Sequence, residues 1–393
     1  MNISDDSLKF IQQHQNKSLT ELALLLSKKT ELNKDFILAQ INGIQKAKNK
    51  LPQFYSTPNI IYPIKLSLEQ CSSEKTGVYK SEIINGEKLL DLTGGFGVDS
   101  YYFSKTFTQV TYLEQNKSLH NIVKQNIKLL GAKNIKLFNS TAEDFIATTT
   151  QKFDVICIDP SRRNQNQRVF KLDECTPNII ELTSSLFKIS NKILIKTAPL
   201  LDIKQTIKDL KFVTKIWVIA VDNDCKEVLY LLENEKIVEP QISTINLTKE
   251  NQEFEFNFKQ EETANTELSE PENFLYESNS SILKAGAFNS LCKSFNIKKL
   301  GQHTHLYTSK TLIDDFPGRT FKIENVLSYN TKEFRKLNIQ KANVSCRNFK
   351  DNVEQIKKKL KIKDGGRNYL FAANNINGKP ILIVCLRLDF SKK

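Results

Sequence analysis

Three stretches of this chain carry residue types that could do chemistry together. Asp91 is followed by Leu92-Thr93-Gly94-Gly95-Phe96-Gly97, Glu114 closes the next apolar run, and Asp159-Pro160-Ser161-Arg162-Arg163 closes another. A short apolar run that ends on an acid and turns through glycines leaves bare backbone where a ligand can approach closely. A glycine loop alone is weak evidence, and a dinucleotide could use one. Two details count against a dinucleotide. The spacing is Gly-Gly-x-Gly rather than G-x-G-x-x-G, and Asp91 stands where its carboxylate would repel a pyrophosphate but attract an ammonium or sulfonium group. Glu114, at the end of the following strand, can accept hydrogen bonds from both ribose hydroxyls of an adenosine cofactor. S-adenosylmethionine (SAM) has both cations and no phosphate, so the cofactor reading is SAM.

The surrounding pattern supplies elements to position these residues. Strands are predicted at Lys88–Leu92, Gln109–Leu113, Ile135–Phe138, Phe153–Ile158, Lys192–Lys196, Val213–Val221 and Glu227–Leu232. Between them lie helices at Val98–Lys105 and near Ser118–Leu130, the latter stopped by Gly131. Ser140-Thr141-Ala142-Glu143 has the form of a capping box, another helix starts at Thr176-Pro177, and a short one lies near Ile203–Leu210. Repeated strand–helix units of this length predict an α/β fold, a Rossmann-like seven-stranded doubly wound sheet whose last two strands form an edge hairpin. In such a sheet ligands bind at the carboxyl ends of the strands, where all three stretches fall.

Composition frames the rest. The chain has 393 residues with a net charge of +13, and Phe316–Lys393 holds 18 Lys/Arg against 6 Asp/Glu. A basic module on a near-neutral body points to a polyanion such as nucleic acid, though an ordinary solvated surface could carry the same charge. Seven scattered cysteines without a C-x-x-C pair read as reduced thiols in a cytoplasmic protein. No secretory leader pattern opens the sequence, and no apolar run nears the roughly 18 residues that span a bilayer, so no membrane partner is expected. The expected domains are a helical one at 1–65, the sheet domain at 66–235 and an extended segment with an acidic linker at 236–275. Small α+β modules follow at 276–321 and 322–393. Polar residues at 66–76 could line a cofactor pocket or simply cap a surface helix. Cys225, in the predicted hairpin turn, is a conceivable nucleophile but better read as incidental, Cys157 reads as core, and His303 and His305 read as structural, so no metal is expected.

Leu90–Gly97, Glu114 and Asp159–Arg163 resemble successive motifs of class I SAM-dependent methyltransferases. The whole chain resembles bacterial methyltransferase-like proteins with a ferredoxin-like insert and a C-terminal THUMP-like domain. The residues that carry this are Leu68-Glu69-Gln70-Cys71-Ser72-Ser73-Glu74, His305–Ser309 with Phe316-Pro317-Gly318-Arg319, and Leu360–Gly366. The resemblance implies that Asp91, Thr93, Gly94, Gly95 and Gly97 hold the methionine end of SAM and Glu114 the ribose. Thr141 and Ala142 fall where such enzymes often place an acid for the adenine amino group; a threonine hydroxyl can accept that hydrogen bond too. Asp159, Pro160 and Arg162 would form the methyl-transfer face, with Asp159 a candidate general base. Base-amino methyltransferases typically carry Asn/Asp-Pro-Pro-aromatic there, and Ser161 and Arg162 replace the second proline and the ring. Arg162 and Arg163 could pair with a substrate phosphate, stack on a base, or bond to neighbouring carboxylates. The expected activity is methylation of a nucleotide in a structured RNA, tRNA or rRNA, docked by the basic module. The alternatives are a protein or small-molecule substrate, or a non-catalytic RNA-binding protein that retains the fold.

Overall fold

The computed structural model describes residues 4–27, 29, 31–162, 172–235 and 239–389. Arg163 and the side chain of Arg162 lie outside the described residues. The chain divides into two compact units, Met1–Thr214 with Val228–Val238, and Lys215–Glu227 with Glu239–Lys393. Among the described residues no helix is long and apolar enough to cross a membrane.

The first unit opens with helices α1 (Asp5–His14), α2 (Leu19–Ser27) and α3 (Lys34–Lys50), packed through Phe10, Ile11, Leu22, Leu26, Ile37 and Ile41. A short α4 (Pro52–Ser56) starts with Pro52 in its first turn, where a missing N–H costs nothing. Two buried amides then fix the chain onto the rest of the unit. Gln40 accepts the Tyr62 N–H at 2.9 Å and donates to the Tyr62 carbonyl at 2.8 Å. Asn126, 1% exposed, does the same for Ile61 at 2.9 and 2.8 Å. Replacing Asn126 by Leu would leave a buried N–H and a buried C=O unpaired. The expected loss is about 2–4 kcal/mol, read as a lower urea midpoint with an unchanged slope.

After α5 (Lys65–Gln70) and α6 (Glu74–Ile83) come β1 (Lys88–Asp91), α7 (Val98–Phe103), β2 (Gln109–Leu113), α8 (Lys117–Leu129) and β3 (Ile135–Phe138). The run continues through α9 (Ala142–Thr148), β4 (Val155–Ile158), α10 (Ile179–Leu186), β5 (Lys192–Thr197), α11 (Ile203–Leu210), β6 (Val213–Val221) and β7 (Asp224–Glu233). Within this unit the sheet order is β7-β5-β4-β1-β2-β3, parallel except for β7. Every residue of β4 is buried, as expected for a strand covered on both faces. The order in which strands are added reverses between β1 and β4, which is the switch point.

The last two strands neighbour each other as expected, but the turn between them is only Asp222 and Asn223, at φ of 49° and 66°, the left-handed pair that a two-residue turn requires; Asp224, Cys225 and Lys226, expected in the turn, belong to β7. Two details differ. Thr176 pairs with Ser161 in a two-residue bridge, and Asn178, accepting the Ile180 N–H, caps α10; Pro177 thus precedes the cap instead of opening the helix. Thr141, not Ser140, caps α9, and its partner is Asp144 rather than Glu143.

In the second unit β6 is not an edge. It pairs in parallel with β8 (Gln241–Leu247), which pairs antiparallel with β9 (Gln252–Phe256), so the expected count of seven strands is exceeded. α12 (Phe258–Thr263) follows, and its Glu261 accepts the Asn289 and Ser290 N–H groups, each at 2.8 Å; this part of the acidic stretch is therefore anchored. A seven-stranded sheet completes the unit, built from β10 (Phe274–Ser278), β11 (Lys298–Gly301), β12 (Thr304–Ser309), β13 (Gly318–Ser328), β14 (Asn343–Cys346), β15 (Asn368–Asn374) and β16 (Pro380–Leu388). Its order is β11-β12-β10-β13-β16-β15-β14. Alternating residues of β15 and β16 feed two cores, one around Phe321, Phe371 and Ile383, the other around Phe334, Ile356 and Leu382. The Phe316–Arg319 stretch is structural here. A side chain at Gly318 would lie 2.2 Å from the Glu277 carbonyl, and Arg319 pairs with the buried Glu277 carboxylate, which Arg347 also meets at 2.6 Å.

Candidate functional site

A pocket opens at the switch point of the first unit, and the glycine loop forms one wall of it. β1 delivers Asp91 in a buried position, where its carboxylate accepts the Ser100 hydroxyl at 2.5 Å and the Thr93 N–H at 3.2 Å. Burial pushes this acid up to about 7, against the two hydrogen bonds and with the nearby Asp99 charge. Such a group binds its proton more tightly folded than unfolded, so it lowers stability as pH rises from the usual carboxylate range through about 7. Asp91→Asn removes that dependence. Between pH 5 and 8 the wild type is expected to lose about 2 kcal/mol relative to the variant, measured by urea titration at each pH.

The loop owes its shape to three glycines with different tasks. A Cβ on Gly94 would sit 2.1 Å from the Tyr112 ring, and one on Gly97, at φ +77°, 2.8 Å from Val123. Gly95, at φ +52°, has only the Thr93 carbonyl nearby at 3.8 Å, so its missing side chain leaves open space on the pocket side. Tyr112 donates its hydroxyl to the Gly95 carbonyl at 2.7 Å, and Glu114 accepts the Gly95 N–H at 3.1 Å and the Asn116 N–H at 2.7 Å. Two N–H groups leave the Glu114 carboxylate with acceptor capacity for a pair of hydroxyls. Burial raises its pKa despite those bonds. From below, Phe54 and Tyr62 pack their rings 5.5 and 6.3 Å from Phe96, so the helical N-terminus buttresses the loop.

The other predicted residues fall out unequally. Thr93, Thr141, Ala142 and Asp159 line the pocket together with Asp91, Gly94, Gly95 and Glu114. Thr141 spends its hydroxyl on capping, accepting the Asp144 N–H at 3.1 Å and donating to the Asp144 carboxylate at 2.8 Å. Asp159 is tied to the loop by its N–H, which donates to Thr93 Oγ1 at 2.6 Å. Gly97 and Pro160 are not among the lining residues, although Ser161 is. Cys157 and Cys71 also line the pocket, and burial raises both thiols, away from the thiolate form. Cys225 lies in β7, its thiol pushed up to about 11 by burial. His305 stacks on Phe288 with ring centroids 3.7 Å apart.

Sequence reading missed a charge cluster on the pocket floor. Lys80, 2% exposed on α6, donates to Ser72 Oγ at 2.6 Å and meets Asp99 Oδ1 at 3.0 Å. Lys196, at the end of β5, meets Asp159 Oδ2 at 2.5 Å, Ser72 Oγ at 3.3 Å and Asp99 Oδ2 at 3.7 Å. Burial favours the neutral form of Asp99, but the two lysines and the Ser72 hydroxyl outweigh it and hold the carboxyl below its usual value. Lys80 and Asp99 sit inside helices and Lys196 inside a strand. The only signal available was that a lysine on a helix face otherwise directed at the sheet needs a buried partner.

This geometry suits a zwitterionic adenosine ligand, with acceptor capacity at Glu114, a loop of bare backbone, and acids and lysines on the floor. The crystal structure of a "putative methyltransferase from Porphyromonas gingivalis W83" superimposes with a TM-score of 0.88, covering 99% of this chain and 100% of that one at 28% identity. The chain has a methyltransferase fold with ferredoxin-like and THUMP-like domains. Family models agree, matching a ferredoxin-like domain at 274–317, a THUMP domain-like region at 318–387, and the family described as conserved hypothetical protein 95 at 75–211. Two further structures match over less of the chain. A conserved hypothetical protein from Streptococcus pyogenes has a TM-score of 0.31 and 20% identity over 41% of this chain and 96% of its own. An rRNA methylase from Streptococcus thermophilus has a TM-score of 0.30 and 13% identity over 42% and 95%. No curated protein matches the sequence of this chain.

Proposed function

We propose that this chain is a SAM-dependent methyltransferase that modifies a nucleotide in a structured RNA, tRNA or rRNA. The observation that carries the cofactor is the joint placement of Asp91, the open Gly95 and Glu114 around one pocket, with Asp159 at the end of the adjacent strand. Glu114 accepts the ribose hydroxyls. The loop backbone and Asp91 take the methionine end. Thr141 and Ala142 face the adenine. When bound, SAM supplies a methyl group on a sulfonium leaving group, so the chain's task is to orient the acceptor in line and exclude water. Asp159 accepts a hydrogen bond or proton from the acceptor atom, and Ser161, which lines the pocket next to it, borders that face. No thiolate is required, which agrees with the raised thiols of Cys71 and Cys157.

The RNA assignment is supported by the THUMP domain-like match and by the charge of Phe316–Lys393. In α13 (Val353–Leu360) Ile356 and Leu360 face the core, while Lys358, Lys361, Lys363 and Arg367 around its C-terminal end are exposed. Lys341 pairs alongside Lys363 and is exposed too. If these residues meet phosphates, binding to purified tRNA or rRNA falls steeply as salt rises. Replacing Lys358, Lys361 and Lys363 by Ala should lower the slope of log K against log salt by about 0.7–0.9 per lost contact. A slope near zero in the wild type contradicts the RNA reading. Mass spectrometry of nucleosides from a strain lacking the gene then identifies the product as the methylated nucleoside that disappears.

A further inference from the structure

The loop and Glu114 do not account for the floor cluster. Its two lysines and two acids stand together beside Ser72, and their exposures differ. Lys80 is sealed at 2%, Lys196 is 14% exposed, and Asp159 is 42% exposed. Lys80, Asp99 and Ser72 therefore form a fixed base, while Lys196 faces the pocket with Asp159 as its outermost partner.

The span is suitable too. β2, which ends at Glu114, and β5, which carries Lys196, are separated by β1 and β4. Three strand spacings amount to about 14 Å. The Lys196 ammonium lies 3.7 Å from Asp99 on α7, the helix that leaves the glycine loop. It thus lies in the same pocket as Glu114 but on the β4–β5 side of the switch point, beside that helix.

We propose that Lys196, seated on Ser72, Asp99 and Lys80, binds the α-carboxylate of the cofactor's methionine end, which replaces Asp159 on the Lys196 ammonium. A carboxylate arriving there exchanges one charge-assisted hydrogen bond for another, and Asp159 is released to face the methyl acceptor. The inference rests on the SAM reading given above and adds to it the group that recognises an amino acid rather than a plain nucleoside. Asp159 and Lys196 thereby couple cofactor arrival to the acceptor side of the pocket.

Calorimetry with S-adenosylhomocysteine and its decarboxylated analogue tests this. The analogue keeps the adenosine, thioether and amine. The wild type is expected to bind the analogue at least about tenfold more weakly, the factor that one charged hydrogen bond supplies. In Lys196→Met that preference should vanish, through loss of affinity for S-adenosylhomocysteine with the analogue unchanged; Lys196→Arg should retain part of it. Equal binding of both ligands by the wild type overturns the assignment, and so does a Lys196→Met variant that weakens both ligands equally or keeps the preference. A wild type that binds neither ligand overturns the SAM reading instead. The wild-type comparison needs no variant to fold.

Discussion

Gly95→Asp is expected to abolish cofactor binding while leaving the fold in place. At Gly95 a Cβ meets no atom closer than the Thr93 carbonyl at 3.8 Å, so a side chain there projects into the pocket and not into the protein. Asp is among the residues that tolerate the φ of +52°, because its short polar side chain can hydrogen-bond locally. The added carboxylate would occupy the loop's ligand side, beside Glu114, whose Oε2 already accepts the Gly95 N–H at 3.1 Å. SAM affinity should fall at least about a hundredfold, equivalent to about 2.7 kcal/mol, with a melting temperature close to that of the wild type. At Gly94 the same substitution acts differently. Its Cβ would strike the Tyr112 ring at 2.1 Å, so the expected result there is lost stability. Unchanged SAM affinity in Gly95→Asp would place the ligand elsewhere.

Asp99→Asn is the largest expected stability effect. It removes the carboxylate 3.0 Å from the 2% exposed Lys80 ammonium and weakens the setting of Lys196 as well. Breaking a buried pair from one side typically costs about 3–5 kcal/mol, since the remaining charge keeps its desolvation penalty. Because the folded-state pKa of Asp99 is lowered, its contribution is present above the ordinary carboxylate pKa and lost as pH falls below it. The difference between wild type and Asp99→Asn should therefore be large at pH 7 and shrink in acid, as read from urea midpoints along a pH series. A constant difference would mean that the carboxylate's charge is not what stabilises the cluster.

The sheet was legible because each strand is a short apolar run bounded by a turn or a cap. Asp91, Gly95 and Glu114 stood out for the same reason, since strand ends and glycines can be located without knowing the packing. What could not be read depends on contacts between residues distant in sequence. Lys80 and Lys196 are separated by more than a hundred positions and are brought together only when α6 packs beside the sheet. The start of α9 was legible, but its phase was not: Thr141 rather than Ser140 is the cap, and it accepts the Asp144 N–H and donates to the Asp144 carboxylate, leaving Glu143 out. The strands β8 and β9 fall in the extended segment ahead of the acidic linker, but that they extend the ladder was not legible, because alternation over so few residues does not reveal a pairing partner.

Calorimetric titration of the full chain with SAM is expected to show saturable one-to-one binding that S-adenosylhomocysteine displaces and that Gly95→Asp eliminates. Absence of heat with SAM, together with no displacement by S-adenosylhomocysteine, would contradict the SAM reading.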